Sequence, residues 1–177
     1  TEASGFQRSA ESAGLAFTDR AIPEMGIRIS VYEGSGPFEK TLHLIPRTVS
    51  VGIGCRKRTP PETVAEVFEK AIKDCKISAE SVEQICTIDI KKDEPALQQL
   101  AENLGVPLRT FSAAELDQME GEFTSSEFVR GITGVDNVCE RSAVLGSHGG
   151  LIARKQALNG VTAAIAVRTG GIRWKQQ

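Results

Sequence analysis

The residues of this chain best suited to chemistry are Cys55, Arg56, Lys57 and Arg58. They follow Val49-Ser50-Val51-Gly52-Ile53-Gly54 and precede Thr59-Pro60-Pro61-Glu62. The apolar run at 49–53 predicts a short buried strand, the glycines a turn, and Thr-Pro-Pro-Glu a capped helix start with Thr59 as N-cap. A thiol and three cations would then sit at the carboxyl end of a strand and before a helix N-terminus. Open α/β sheets bind ligands at that edge, and helix N-termini attract anions, so the expected ligand is an anion. Gly52 and Gly54 would let backbone approach it. The loop has neither the phosphate-loop pattern Gly-x-x-x-x-Gly-Lys-[Ser/Thr] nor the third glycine of the dinucleotide fingerprint, which argues against nucleotides. The neighbouring cations would stabilise a Cys55 thiolate. Neither His43 nor His148 is placed by sequence to serve as its base, so a ligand-wall or structural role is favoured over a nucleophile.

Asp89-Ile90-Lys91-Lys92-Asp93-Glu94-Pro95 repeats the arrangement of strand end, cations and helix start. If the two strands are neighbours, Lys91 and Lys92 share an edge with Arg56, Lys57 and Arg58. Glu94 is a candidate general acid or base there, and its plainer role is charge at a helix N-terminus. A third stretch runs through Ser125-Ser126-Glu127 to Asp136-Asn137-Val138-Cys139-Glu140-Arg141-Ser142. Glu127 and Glu140 lie near helix starts, Arg141 suits clamping of a carboxylate, and Lys155 adds a later cation. Serines and threonines are plentiful but show no Ser–His–Asp order. Nothing has the spacing of a zinc site, so no resident metal is expected.

These residues need elements to position them. Val64, Val67, Phe68, Ala71 and Ile72 recur at helical spacing, predicting a helix from about 61 to 75. A short helical turn is expected at 78–82, a strand at 84–90, a helix at 94–103 stopped by Gly105, and a strand at 107–111. Ser112 and Glu115 form a capping box for a short helix to about 119, and Thr124 and Glu127 form another for a helix ending at Gly134. Asn137 would cap a helix running to 145, with Gly146 as terminator. Residues 151–158 and 161–167 flank Asn159-Gly160, the strongest short signal for a hairpin. Strands joined by crossover helices predict a three-layer α/β/α sandwich whose sheet is mixed, mostly parallel, and ends in the antiparallel hairpin. Residues 1–48 read as an N-terminal arm or incomplete domain. Within them, 9–17 suits a short helix, and 27–32 and 41–45 suit strands on either side of the turn Glu33-Gly34-Ser35-Gly36-Pro37.

The bulk numbers agree with one soluble domain plus an appendage: 177 residues, 40% hydrophobic and 25% charged. A net charge of −2 and 5% aromatics argue against a nucleic-acid partner, which needs basic excess and stacking rings. Cys75 and Cys86 read as core thiols of a reducing compartment. No apolar run is long enough to span a bilayer and no signal peptide is visible, so no membrane partner and a cytoplasmic location are expected.

Taken together, Gly52-Ile53-Gly54-Cys55-Arg56-Lys57, Ile88 to Pro95, Ser126-Glu127-Phe128-Val129, Gly134 to Ala143 and Gly160 to Ala166 resemble the C-terminal domain of CbiG. CobE proteins are stand-alone versions of that domain. The resemblance covers about residues 49–167. Thr41 to Arg47 resembles the end, and Thr1 to Arg20 the start, of the region that precedes this domain in CbiG. The resemblance implies cobalamin (vitamin B12) biosynthesis. CbiG is a cobalt-precorrin-5A hydrolase that opens a δ-lactone on the corrin precursor and releases acetaldehyde; CobE implies instead a non-catalytic corrinoid-binding or escort module. The implied partner is an anionic cobalt-corrinoid rich in carboxylates, with other cobalamin-biosynthesis enzymes as further partners. No cofactor is implied, because the substrate carries the cobalt. Gly54, Cys55, Arg56, Lys57, Lys91, Lys92, Ser126, Glu140, Arg141 and Lys155 would bind substrate, and Glu94 or Glu127 would activate water.

Overall fold

The computed structural model describes residues 24–36 and 38–168. The helix expected at 9–17 lies outside them. The main body is a five-stranded sheet in the order β5-β4-β3-β7-β6. Its strands are β3 (Val49–Cys55), β4 (Val82–Ile88), β5 (Leu108–Phe111), β6 (Gly150–Leu158) and β7 (Val161–Val167). β3, β4 and β5 pair parallel, β7 runs antiparallel to β3, and β6 antiparallel to β7. This is the expected mixed sheet with its terminal hairpin.

Alternation along β3 sorts the two faces. Val49, Val51 and Ile53 enter the main core with Val64, Val67, Phe68, Ala71 and Ile72 of α1 (Pro61–Asp74) and Ala96, Leu97, Leu100 and Ala101 of α2 (Pro95–Leu104). Every member of the predicted α1 stripe is buried, and Val64, Val67, Phe68 and Ile72 each contribute about 1.5–3 kcal/mol if fully removed from water. Ser50 and Gly52 point the other way, toward α5 (Val138–Ser147). A Cβ at Gly52 would overlap the Cys139 carbonyl, and one at Gly146 would overlap the Cys86 sulfur. The two glycines therefore set how closely α5 lies on the sheet. Ile88, Leu116, Val135 and Val138 form a smaller core on this side, with Val129 packed against it. Two short helices, α3 (Ala113–Asp117) and α4 (Glu127–Thr133), complete the layer.

Several local expectations shift. Gly54 is not a turn but strand, and β3 continues to Cys55. β4 ends at Ile88, and Asp89–Lys91 form a 3-10 turn. The N-cap of α1 is Pro60, with Pro61 in the first turn; the Thr59 hydroxyl donates to the Arg56 carbonyl instead of capping. The Ser112–Glu115 capping box is present. The Thr124 one is not: Ser126 is the N-cap of α4, because Thr124 is bonded elsewhere. Asn137 does cap α5, but the helix passes Gly146 and ends at His148, in the left-handed region at φ 51. The hairpin turn has φ 51 at Asn159 and φ 79 at Gly160, the double positive value that favours Asn-Gly.

Before the body, β1 (Met25–Ile29) and β2 (Lys40–Leu44) form a separate two-stranded parallel sheet. The link between them touches the body through the Tyr32–Ile77 bridge and the Ser78 amide donating to the Val31 carbonyl. No helix of the described residues is long and apolar enough to cross a membrane.

Candidate functional site

Three helices begin at one edge. α1 follows β3, and α2 follows β4 after the 3-10 turn. α5 runs back along β3, since its Cys139 end meets Gly52 and its Gly146 end meets Ser50. The N-termini of α1, α2 and α5 thus collect at the carboxyl edge of the parallel strands. The β6–β7 turn joins them, because Val161 pairs with Cys55. This edge carries the partial positive charge of three helix ends as well as its side chains.

Cations are laid across it. Arg56, Lys57 and Arg58 are exposed after β3, and Lys92 is exposed after β4. Arg56 lies over the hairpin turn, with its guanidinium stem close to Gly160. On the α5 side, Lys155 is half-buried and close enough to Cys139 to favour its thiolate. Among the described residues, Arg56, Lys57, Arg58, Lys92 and Lys155 have no ion pair with a carboxylate.

Glu94 holds the two strand-end loops together. It is 6% exposed, accepts from the Arg58 amide at 2.8 Å, and pairs with Lys91 at 3.1 Å. Arg58 takes the left-handed region at φ 61 to present that amide. Lys91 is therefore the one cation of the strand-end loops with a carboxylate partner among the described residues. Cys55 lies between these groups. Burial pushes its thiol up; Lys91 opposes this, Glu94 adds to it, and the Thr59 hydroxyl lowers it slightly. A raised thiol is a poor nucleophile near neutrality.

Glu140 holds the other half. It is fully buried, and its carboxylate accepts from the Thr124 amide at 2.8 Å, the Thr124 hydroxyl at 2.9 Å and the Lys155 amide at 2.7 Å. Burial works to raise its pKa, but the bonds from Lys155 and Thr124, with Arg154 nearby, outweigh burial and hold the carboxyl below its ordinary range. Arg141 is also committed internally. It pairs with Asp136 at 3.0 Å, donates to the carbonyls of Leu116 and Met119 at 2.9 Å each, and lies over the Phe123 ring. Ser126 is half-buried and Glu127 exposed at the start of α4. Cys139 is buried, its thiol pushed up to about 11 chiefly by burial.

The edge therefore brings together Gly54, Cys55, Arg56, Lys57, Lys91, Lys92, Glu94 and Lys155; Ser126 and Glu127 open α4 shortly after Thr124, the residue tied to Glu140. Three participants were not singled out as site residues from sequence. Thr124 ties the α4 segment to Glu140, Asn137 donates to the Thr124 carbonyl, and the Thr162 hydroxyl donates to the Gly54 carbonyl. Only the cap role of Asn137 had a local signal.

Fold and edge together define a class: a mixed-sheet α/β domain that gathers helix N-termini and cations at one end. The chain belongs to the family Cobalamin synthesis G C-terminus, which matches residues 49–166. It is 36% identical over 124 residues to a cobalt-precorrin-5A hydrolase of Salmonella typhimurium, covering 70% of this chain and 35% of that protein. It is 31% identical over 119 residues to Protein CobE of Sinorhizobium, covering 66% of this chain and 77% of that one. Among solved structures, the 1.7 Å crystal structure of CobE, a protein from the cobalamin (vitamin B12) biosynthetic pathway, is similar with a TM-score of 0.63 and 28% identity. That likeness covers 70% of this chain and 92% of CobE. The chain thus spans about a third of the hydrolase's length but most of CobE's.

Proposed function

We propose that this chain acts in cobalamin biosynthesis by holding an anionic cobalt-corrinoid at the carboxyl edge of its sheet, in support of cobalt-precorrin-5A hydrolysis. The observation that carries the reading is the set of five cations at that edge without carboxylate partners among the described residues. A polycarboxylate macrocycle supplies several negative groups at once. In the proposed reaction, water adds to the lactone carbonyl, and the ester C–O bond breaks to leave a carboxylate and a free hydroxyl. Loss of the hydroxyl proton then lets the carbon–carbon bond break. Acetaldehyde leaves, the electron pair passes to the macrocycle, and a proton returns to it.

Of the two carboxylates proposed to move protons, Glu127 is exposed and Glu94 is bonded to Arg58 and Lys91. That difference supports Glu127 as the base and Glu94 as the brace that sets cation spacing. The near-complete coverage of CobE supports a second reading, a corrinoid carrier without turnover.

The test is to incubate the chain with cobalt-precorrin-5A and to follow both its absorbance and acetaldehyde release. Expected are binding that Arg56→Ala and Lys57→Ala each weaken, and release that Glu127→Gln suppresses. Binding without acetaldehyde would transfer the chain to the carrier reading. No corrinoid binding at all would overturn both.

A further inference from the structure

We infer that one face of the β1–β2 sheet is a docking surface for the same face of a second copy of this chain. The inference is independent of the corrinoid reading. β1 and β2 pair in parallel, Met25 with Lys40, Ile27 with Leu42 and Ile29 with Leu44. Side chains alternate along a strand, and paired residues point the same way, so these six share one face. Five of the six are apolar, and the one cation, Lys40, stands at an end of its strand.

The opposite face carries Gly26, Arg28, Thr41 and His43, and the link between the strands folds over part of it. A Cβ at Gly26 would overlap the Phe38 ring, and one at Gly36 would overlap the Thr41 side chain. The Thr41 hydroxyl donates to the Phe38 carbonyl at 2.9 Å, and Arg28 donates to the Gly34 carbonyl at 2.6 Å. The apolar face is open instead: Met25 is 71% exposed, Ile27 43%, Leu42 57% and Leu44 37%. Along β1 burial deepens from Met25 through Ile29 toward Val31, a member of the main core. Parallel strands normally have both faces covered, and two strands alone are marginal in water. Among the described residues no third strand joins this pair.

Area and polarity point to a second copy. The four exposed side chains leave about 400 Å² of open apolar surface, a patch size that often marks an interaction site on a monomer. Two such faces together would bury about 800 Å², with Ile29 and the Lys40 stem adding to it, which reaches the low end of specific interfaces and fits a weak, concentration-dependent dimer. A partner must itself offer a flat apolar surface without charge at its centre, since an unpaired charge there would lose its water. This face meets that need when turned upon itself about a two-fold axis. Apolar pairs then meet apolar pairs, and the two Lys40 side chains fall at outer ends, where their ammonium groups stay in water.

The experiment is sedimentation velocity on the intact chain between about 1 and 500 μM, the range of weak association. The wild-type chain should pass from one copy toward two as concentration rises. Met25→Glu and Leu42→Glu should each weaken association more than about tenfold, by placing a charge inside the apolar contact. His43→Glu, on the opposite face, should change it by less than about twofold. Ile27→Ser adds no charge and should also weaken it, which keeps the test decisive where a glutamate variant melts abnormally. A wild-type chain that stays single at the highest concentration would overturn the inference and give the face to an occupant other than this chain. A dimer that survives Met25→Glu, Leu42→Glu and Ile27→Ser unchanged, or that His43→Glu weakens equally, would overturn the choice of face.

Discussion

Replacing Glu140 by glutamine tests whether this carboxylate is the tie that holds the α4 segment and β6 to α5. The side chain is fully buried, so solvent cannot replace a lost partner. Its Oε1 accepts from the Thr124 hydroxyl and the Lys155 amide, and its Oε2 from the Thr124 amide. A glutamine oxygen at the first position preserves two bonds without their charge assistance. Its amide at the second then faces the Thr124 N–H, donor against donor. Losing one bond to a charged acceptor and leaving a donor unsatisfied costs roughly 2–4 kcal/mol. In a chain of this size that is a fall in Tm of about 5–15 °C. Urea unfolding of both proteins between pH 3 and pH 7 gives the measurement. Glu140 has a depressed folded value, so its contribution is complete above its unfolded value, near 4.5. It is lost as pH falls through the folded value below that. The gap between wild type and Glu140→Gln should therefore be widest at pH 7 and narrow toward pH 3. A gap under about 0.5 kcal/mol at pH 7, or one that widens with acid, would refute the reasoning.

Three further outcomes follow from the packing. Gly52→Ala should destabilise by about 3 kcal/mol, the upper end of overpacking costs, because the new methyl overlaps the Cys139 carbonyl and must push α5 off the sheet; chemical denaturation reads this directly. Cys55 should react with iodoacetamide more slowly than free cysteine at pH 7, since burial raises its thiol, and should accelerate as pH rises beyond 9.0; peptide mass spectrometry would detect the contrary. Arg141→Lys should cost about 2–3 kcal/mol, because one ammonium cannot reach Asp136 and the carbonyls of Leu116 and Met119 together; a melting curve like that of wild type would show that the pairings are not needed.

What the sequence discloses here is what neighbours along the chain decide. The α1 stripe, the Asn159-Gly160 turn, the Ser112 box and the Asn137 cap are each contained within a few residues, and each is present. The repetition of cations after two strands is also legible, and the parallel pairing of β3 with β4 puts both sets on one edge. Glu94 and Glu140 look from sequence like helix-start acids, a role that local chemistry allows. Their partners come from 36 residues and from 15 to 16 residues away, where no periodicity points. Thr124 shows the same limit: its pattern with Glu127 suits a capping box, but a buried acceptor elsewhere claims its amide and hydroxyl. Gly54 reads as a turn because glycine is permissive, and it is strand because β7 pairs alongside it.

The bond from Arg58 to Glu94 has a consequence for the rate of encounter. With both strand-end loops fixed to one carboxylate, Arg56, Lys57 and Lys92 are held by a common frame. A polyanion approaching from outside meets a steady field, and such fields steer association. The range of that steering is the Debye length, roughly 10 Å at 0.1 M salt. Capture should then slow steeply as salt rises, while release, governed by contacts already made, changes far less.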